Sequence, residues 1–166
     1  MAALEGTEEA LACASGMSAA AAIFQTLAEQ GDRILAAREL FGGTTAFLQG
    51  PLTRQGVETE FAPLAAIERA VPPGTKVVAV ETISNPLMKV ADLARIARNA
   101  KKAGAVLVVD NTFATPILSR PAEQGADIVF HSGTKFLNGH GDATSGVICG
   151  PRRLIDPMRK LTNLAG

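Results

Sequence analysis

The sequence has no tryptophan, no tyrosine and no excess of charge. It has 16 basic and 16 acidic side chains among 166 residues. A net charge of zero gives no electrostatic ground for binding nucleic acid or an anionic membrane surface. Charged residues make up only 19% and hydrophobic ones 47%, which excludes a disordered polyion and supports one domain with a sizeable core. No apolar run reaches the roughly 18 residues that a membrane span needs. Met1 to Glu9 carries acids and no basic cluster, so it does not read as a secretory leader. Two cysteines, Cys13 and Cys149, make neither a metal-spaced pair nor a disulfide framework. They read as small apolar core residues in a reduced, cytoplasmic setting. No metal site is expected, and there is no internal repeat or low-complexity segment.

What is present is an alternation of short apolar runs with longer helical patterns. Strands are expected near Leu11–Ala14, Arg33–Ala37, Val57–Phe61, Val77–Val80, Val106–Val109, Ile128–Phe130 and Gly146–Cys149. Helices are expected over Met17–Glu29, Thr44–Gln55, Leu64–Val71 and Val90–Ala103, and Leu161–Gly166 reads as part of another. The Val90–Ala103 stretch places Leu93, Ile96, Ala97 and Ala100 on one face. Strands alternating with helices predict an α/β fold, a mostly parallel sheet with helices on both faces. Ligands in such sheets sit beyond the carboxyl ends of the strands, so the residues just after each apolar run carry the information.

Ser132-Gly133-Thr134-Lys135 follows one run. Hydroxyls and turn N–H groups can hold phosphate oxygens, and a lysine amine can attack carbonyl carbons. The same tetrapeptide is equally a polar turn with a solvated lysine. Asp110 ends Val106–Val109; it could face a protonated ring nitrogen, but alone Asp110-Asn111-Thr112 reads as a helix N-cap. Gly16 at the start of a helix lets an anion approach free N–H groups, although Ser-Gly starts are also ordinary capping. Asn85-Pro86 is ordinary turn chemistry. Phe41 before two glycines reads as a core residue, and His140 as a loop histidine. Taken together, the set supplies a phosphate cup, an aromatic, an Asn, a carboxylate and a lysine, which are the requirements of pyridoxal 5'-phosphate. A Rossmann-like domain is the plain rival, but no G-x-G-x-x-G follows the first apolar run.

In Ser15-Gly16-Met17-Ser18-Ala19, Leu40-Phe41-Gly42-Gly43-Thr44, Glu81-Thr82-Ile83-Ser84-Asn85-Pro86, Val108-Val109-Asp110-Asn111-Thr112-Phe113 and His131 to His140, the chain resembles the Cys/Met-metabolism PLP-dependent enzymes. These include cystathionine γ-synthase, cystathionine γ-lyase, methionine γ-lyase and the O-acylhomoserine sulfhydrylases. The resemblance runs the whole chain in order. It implies the large domain of fold-type I PLP enzymes, with Lys135 as the catalytic Schiff-base lysine. Asp110 would hold the pyridine nitrogen, and Asn85 would lie near the ring hydroxyl and substrate carboxylate. Ser132, Thr134 and the N–H groups of Gly16 and Met17 would bind the phosphate, and Phe41 would stack on the ring.

The resemblance further implies a small amino-acid substrate, a homo-oligomer (dimer or tetramer) in the full-length form, and carbon–sulfur lyase chemistry of the cystathionine or methionine γ-lyase type. The alternatives are γ-replacement on an O-acylhomoserine and a catalytically silent cofactor-domain fragment. The chain departs from the family in three ways. Most members have Tyr where Phe41 stands. Gly43 replaces a cysteine of many methionine γ-lyases, while Gly139 to Asp142 points toward γ-lyases. Finally, residues 1–166 are expected to be the PLP-binding large domain alone, without the family's N-terminal arm and C-terminal domain.

Overall fold

The structure is a computed structural model that describes residues 1–165. Seven strands form one sheet: β1 (Glu9–Cys13), β2 (Arg33–Ala37), β3 (Glu58–Ala62), β4 (Thr75–Glu81), β5 (Val106–Asp110), β6 (Ile128–Ser132) and β7 (Gly146–Gly150). Their spatial order is β1-β7-β6-β5-β4-β2-β3. Neighbours are parallel throughout, except that β7 runs antiparallel to both β6 and β1. In β4, Val77, Val78, Ala79, Val80 and Glu81 are buried in succession. Successive strand residues point to opposite faces, so both faces of the sheet are covered.

The covering helices are α1 (Ala2–Glu5), α2 (Gly16–Leu27), α3 (Gly42–Phe47), α4 (Leu64–Arg69), α5 (Leu93–Ala103), α6 (Thr115–Leu118) and α7 (Arg152–Ala165). Helix α2 packs against α7 and lies on β6 and β7, while α4 packs against α5. Alanine is what lets α2 lie so close: Ala19, Ala20, Ile23 and Phe24 are wholly buried. Its start is fixed by a capping box, in which Ser15 Oγ accepts from Ser18 N–H and Ser18 Oγ accepts from Ser15 N–H.

Several boundaries differ from expectation, two of them for plain local reasons. The helix expected from Val90 begins at Leu93, because Val90 pairs with Ile83 in an isolated bridge and Asp92 caps the helix by accepting from Arg95 N–H. The helix expected over Thr44–Gln55 starts two residues earlier. It winds as a π turn over Leu48–Leu52, where Pro51 has no N–H to give. The helical end expected at Leu161–Gly166 is seen through Ala165, and Gly166 lies outside the described residues.

Candidate functional site

The carboxyl ends of β4, β5 and β6 and the N-terminus of α2 enclose a cavity of about 290 Å³. Among its lining residues are all eight singled out from the sequence: Gly16, Met17, Phe41, Asn85, Asp110, Ser132, Thr134 and Lys135. The sheet order explains the convergence. β4, β5 and β6 are adjacent and parallel, so the residues that end them lie side by side.

Asp110 ends β5 and is not a helix cap. Its Oδ1 accepts from Thr112 N–H at 2.9 Å and from Thr112 Oγ1 at 2.5 Å, while the next helix, α6, starts only at Thr115. Thr112 Oγ1 in turn accepts from Ser132 N–H at 2.8 Å, so one hydroxyl couples the ends of β5 and β6. Burial raises the Asp110 carboxyl above its ordinary range. The Thr112 bonds oppose this, and so, more weakly, does His131.

Behind Asp110 lies a second polar layer. His131 Nε2 sits 2.6 Å from Glu5 Oε1, both side chains fully buried. Asn111 Nδ2 donates to the same oxygen at 2.9 Å, and Thr82 Oγ1 donates to Asn111 Oδ1 at 2.8 Å. This layer ties α1 to the ends of β4, β5 and β6.

On the phosphate-cup side, α2 approaches β6 very closely. A Cβ on Gly16 would stand 2.7 Å from Ser132 Cβ and 2.9 Å from Ser132 Cα, so only glycine fits. Gly146 in β7 is likewise pressed against the Ser15 carbonyl, with no room for a side chain. The Thr134 hydroxyl is already engaged, donating to Ser145 O and accepting from Ser145 N–H. Lys135 lines the cavity, and among the described residues no carboxylate forms an ion pair with it.

Phe41 is not a core residue: it is 47% exposed and forms part of the cavity wall. Its backbone N–H donates to Glu81 Oε1 at 2.5 Å. Glu81, in register with Asp110 across β4 and β5, is buried. Desolvation first, and the Asp110 charge second, push its carboxyl up to about 7. Sequence reasoning noted Glu81 and Thr112 inside motifs but gave neither a role. Their positions, a strand end beside an acid and two residues after an Asp where an Asx turn forms, were the available signals.

The cavity offers the chemistry that pyridoxal phosphate requires. It has a half-buried carboxylate at Asp110 that calls for a positive partner, an amine, an aromatic wall, and a helix N-terminus at Gly16 beside a serine for an anion. The comparisons with known proteins agree. The chain is 47% identical over 162 residues to L-methionine gamma-lyase of Pseudomonas putida, an alignment covering 96% of this chain and 41% of that protein. It is 44% identical over 153 residues to O-succinylhomoserine sulfhydrylase of Pseudomonas aeruginosa, covering 90% of this chain and 38% of that protein. To cystathionine gamma-lyase of Bacillus subtilis it is 40% identical over 167 residues, 98% of this chain and 44% of that protein. The crystal structure of metB from Corynebacterium glutamicum superposes with a TM-score of 0.93 at 32% identity, covering 99% of this chain and 44% of that one. The chain thus spans about two-fifths of the length of these relatives, and its fold is that of a fold-type I PLP enzyme. With a family profile matching residues 1–166 throughout, the chain belongs to the Cys/Met metabolism PLP-dependent enzymes.

Proposed function

We propose that residues 1–166 are the cofactor-binding large domain of a longer enzyme that acts on a sulfur-containing amino acid, as a carbon–sulfur lyase of the cystathionine or methionine γ-lyase type. The observation that carries this reading is the convergence of all eight residues on one cavity. When bound, pyridoxal phosphate supplies an electron sink for bonds at the substrate's α-carbon. Asp110, its Oδ1 fixed by Thr112, would hold the cofactor's ring nitrogen and favour its protonated form. The N–H groups of Gly16 and Met17, with Ser132, would hold the phosphate at the start of α2. Thr134, held by Ser145, shapes the cup. Phe41, in the cavity wall, would cover the ring face, and Asn85 would serve the substrate side. Lys135 Nζ is the amine placed to take a proton from a substrate carbon and return it to a leaving group.

Phe41 favours a second reading, γ-replacement on an O-acylhomoserine. A phenol at this position could move protons during elimination, and the chain contains no tyrosine at all. An ester leaving group needs less acid assistance than a thiol.

We further place the protein in the cytoplasm as a homo-oligomer. Among the described residues no helix is long and apolar enough to cross a membrane. Leu87, Met88, Val90, Ile117, Leu118 and Phe136 are exposed apolar side chains of a kind that a second copy of the chain would cover.

The test is borohydride reduction in the presence of pyridoxal phosphate, followed by peptide mapping. The pyridoxyl group is expected on Lys135, with no Schiff-base absorbance in Lys135→Ala. A label on another lysine overturns the assignment.

A further inference from the structure

We propose that Glu81 is a positioning residue: its carboxylate clamps the backbone of Phe41 to the end of β4 and so sets where the Phe41 ring stands in the cavity wall. The inference deepens, and rests on, the proposed cofactor site. Phe41 needs such a clamp. It is half exposed, it precedes two glycines, and no side chain caps the helix that follows it. One side of its ring is set by Gly43, where a Cβ would come within 2.6 Å of Phe41 Cε1 and 3.0 Å of Met17 Sδ. The ring therefore lies across the bare Gly43 backbone beside Met17. The main chain at Phe41 is fixed by two bonds: its carbonyl accepts from Thr45 N–H within α3, and its N–H reaches across 40 residues of sequence to Glu81. Only the second ties the segment to the sheet.

The anchor belongs to the sheet. Glu81 is the last residue of the interior strand β4, flanked by β2 and β5. A buried acid next to a second acid, Asp110, is a costly way to build a cavity wall. Fastening Phe41 is the task its geometry performs.

The test uses the full-length protein with Glu81→Met, which keeps the volume and loses the acceptor, and Glu81→Gln, which keeps a carbonyl acceptor. Each is made in the wild-type and Phe41→Ala backgrounds. Two quantities are read: amide exchange at Phe41 without cofactor, and pyridoxal phosphate affinity with the circular dichroism band of the bound cofactor. Glu81→Met is expected to speed exchange at Phe41, alter the band and weaken binding about tenfold. Glu81→Gln should restore most of each. In Phe41→Ala, where there is no ring to misplace, neither Glu81 variant should weaken binding further.

Equal losses in both backgrounds, or unchanged exchange at Phe41, overturn the proposal. If Glu81→Met does not fold, Glu81→Leu takes its place: faster exchange at Phe41 and a binding loss that disappears without the Phe41 ring support the clamp, while unchanged exchange, or a loss that persists without the ring, overturns it. A wild-type protein that shows no induced band refutes the proposed function, and this inference with it. Binding without coupling between positions 81 and 41 refutes the inference alone.

Discussion

Two carboxyl groups share the floor of the cavity, and their different surroundings should be measurable. Without cofactor, the folded state holds a proton on Glu81 between its ordinary 4.5 and about 7, a range in which the unfolded chain releases it. Unfolding is therefore increasingly favoured as pH rises through that window, by a total on the order of 3 kcal/mol. Denaturation of the cofactor-free protein at pH 5 and pH 8 should show the wild type losing more stability than Glu81→Gln, which has no proton to release. Matching pH slopes would contradict the burial of this acid. Asp110, its Oδ1 already fixed by Thr112, has a different task. Asp110→Ala should weaken pyridoxal phosphate binding by roughly ten- to a hundredfold, the value of a charge-assisted pair of about 1.5–3 kcal/mol, as read by equilibrium titration of cofactor absorbance. Unchanged affinity would leave Asp110 as a turn former only. The eight chemically distinctive residues were legible because each follows an apolar run, and strand ends are where α/β sheets hold ligands. Glu5 and His131 were not legible as a pair. They meet across 126 residues, and neither stands in a local pattern that announces a partner.

At the scale of elements, the turn from β1 into α2 bears most on the site, because it brings the first N–H groups of the helix to the cavity. Ser15→Ala removes one half of the capping box and should cost about 1 kcal/mol in global stability by chemical denaturation. Gly16→Ala is a different kind of change. It adds a methyl where Ser132 backbone already stands, so about 1–3 kcal/mol of overpacking is expected, with pyridoxal phosphate affinity falling as well. An alanine variant as tight-binding and as stable as the wild type would mean the helix can retreat freely. Sequence periodicity located nearly every element, and β2 to the residue. Where it erred, a local contact outweighed the pattern. Val90 carries the apolar character of a helix but is drawn into a bridge with Ile83, and Pro51 alters the winding of a helix without ending it.

Across the whole molecule, exposed apolar side chains are concentrated in a few segments: Leu87 to Val90, α6, and Phe136 just beyond Lys135. Phe113, in the cavity wall, meets Phe136 edge-on at 5.5 Å, so the exposed Phe136 ring adjoins the cavity wall. If a second copy covers this surface, Ile117→Glu, at a position 85% exposed here, should leave the fold intact and shift the full-length protein toward monomers. Analytical ultracentrifugation of the variant against the wild type checks this, and an unchanged mass distribution would move the interface elsewhere. None of this surface could be found from periodicity, because exposed and buried leucines look alike in a sequence.

The placement of β7 has a consequence for how the chain comes to be folded. Within residues 1–165 β1 comes first in sequence, yet its neighbour among the described residues is β7, with Glu9 opposite Gly150 and Cys13 opposite Gly146. Until β7 has been synthesised, β1 has no edge to join, and the Ser15 carbonyl has no Gly146 backbone to rest against. The parallel strands between can pair earlier, through crossovers that are short by comparison. Closing a loop of this length carries an entropic cost that is met only at the end, and pairings so distant in sequence slow folding. On the ribosome, β1 and the apolar side of α2 would therefore wait uncovered while the residues up to β7 are made, an interval in which aggregation competes with folding.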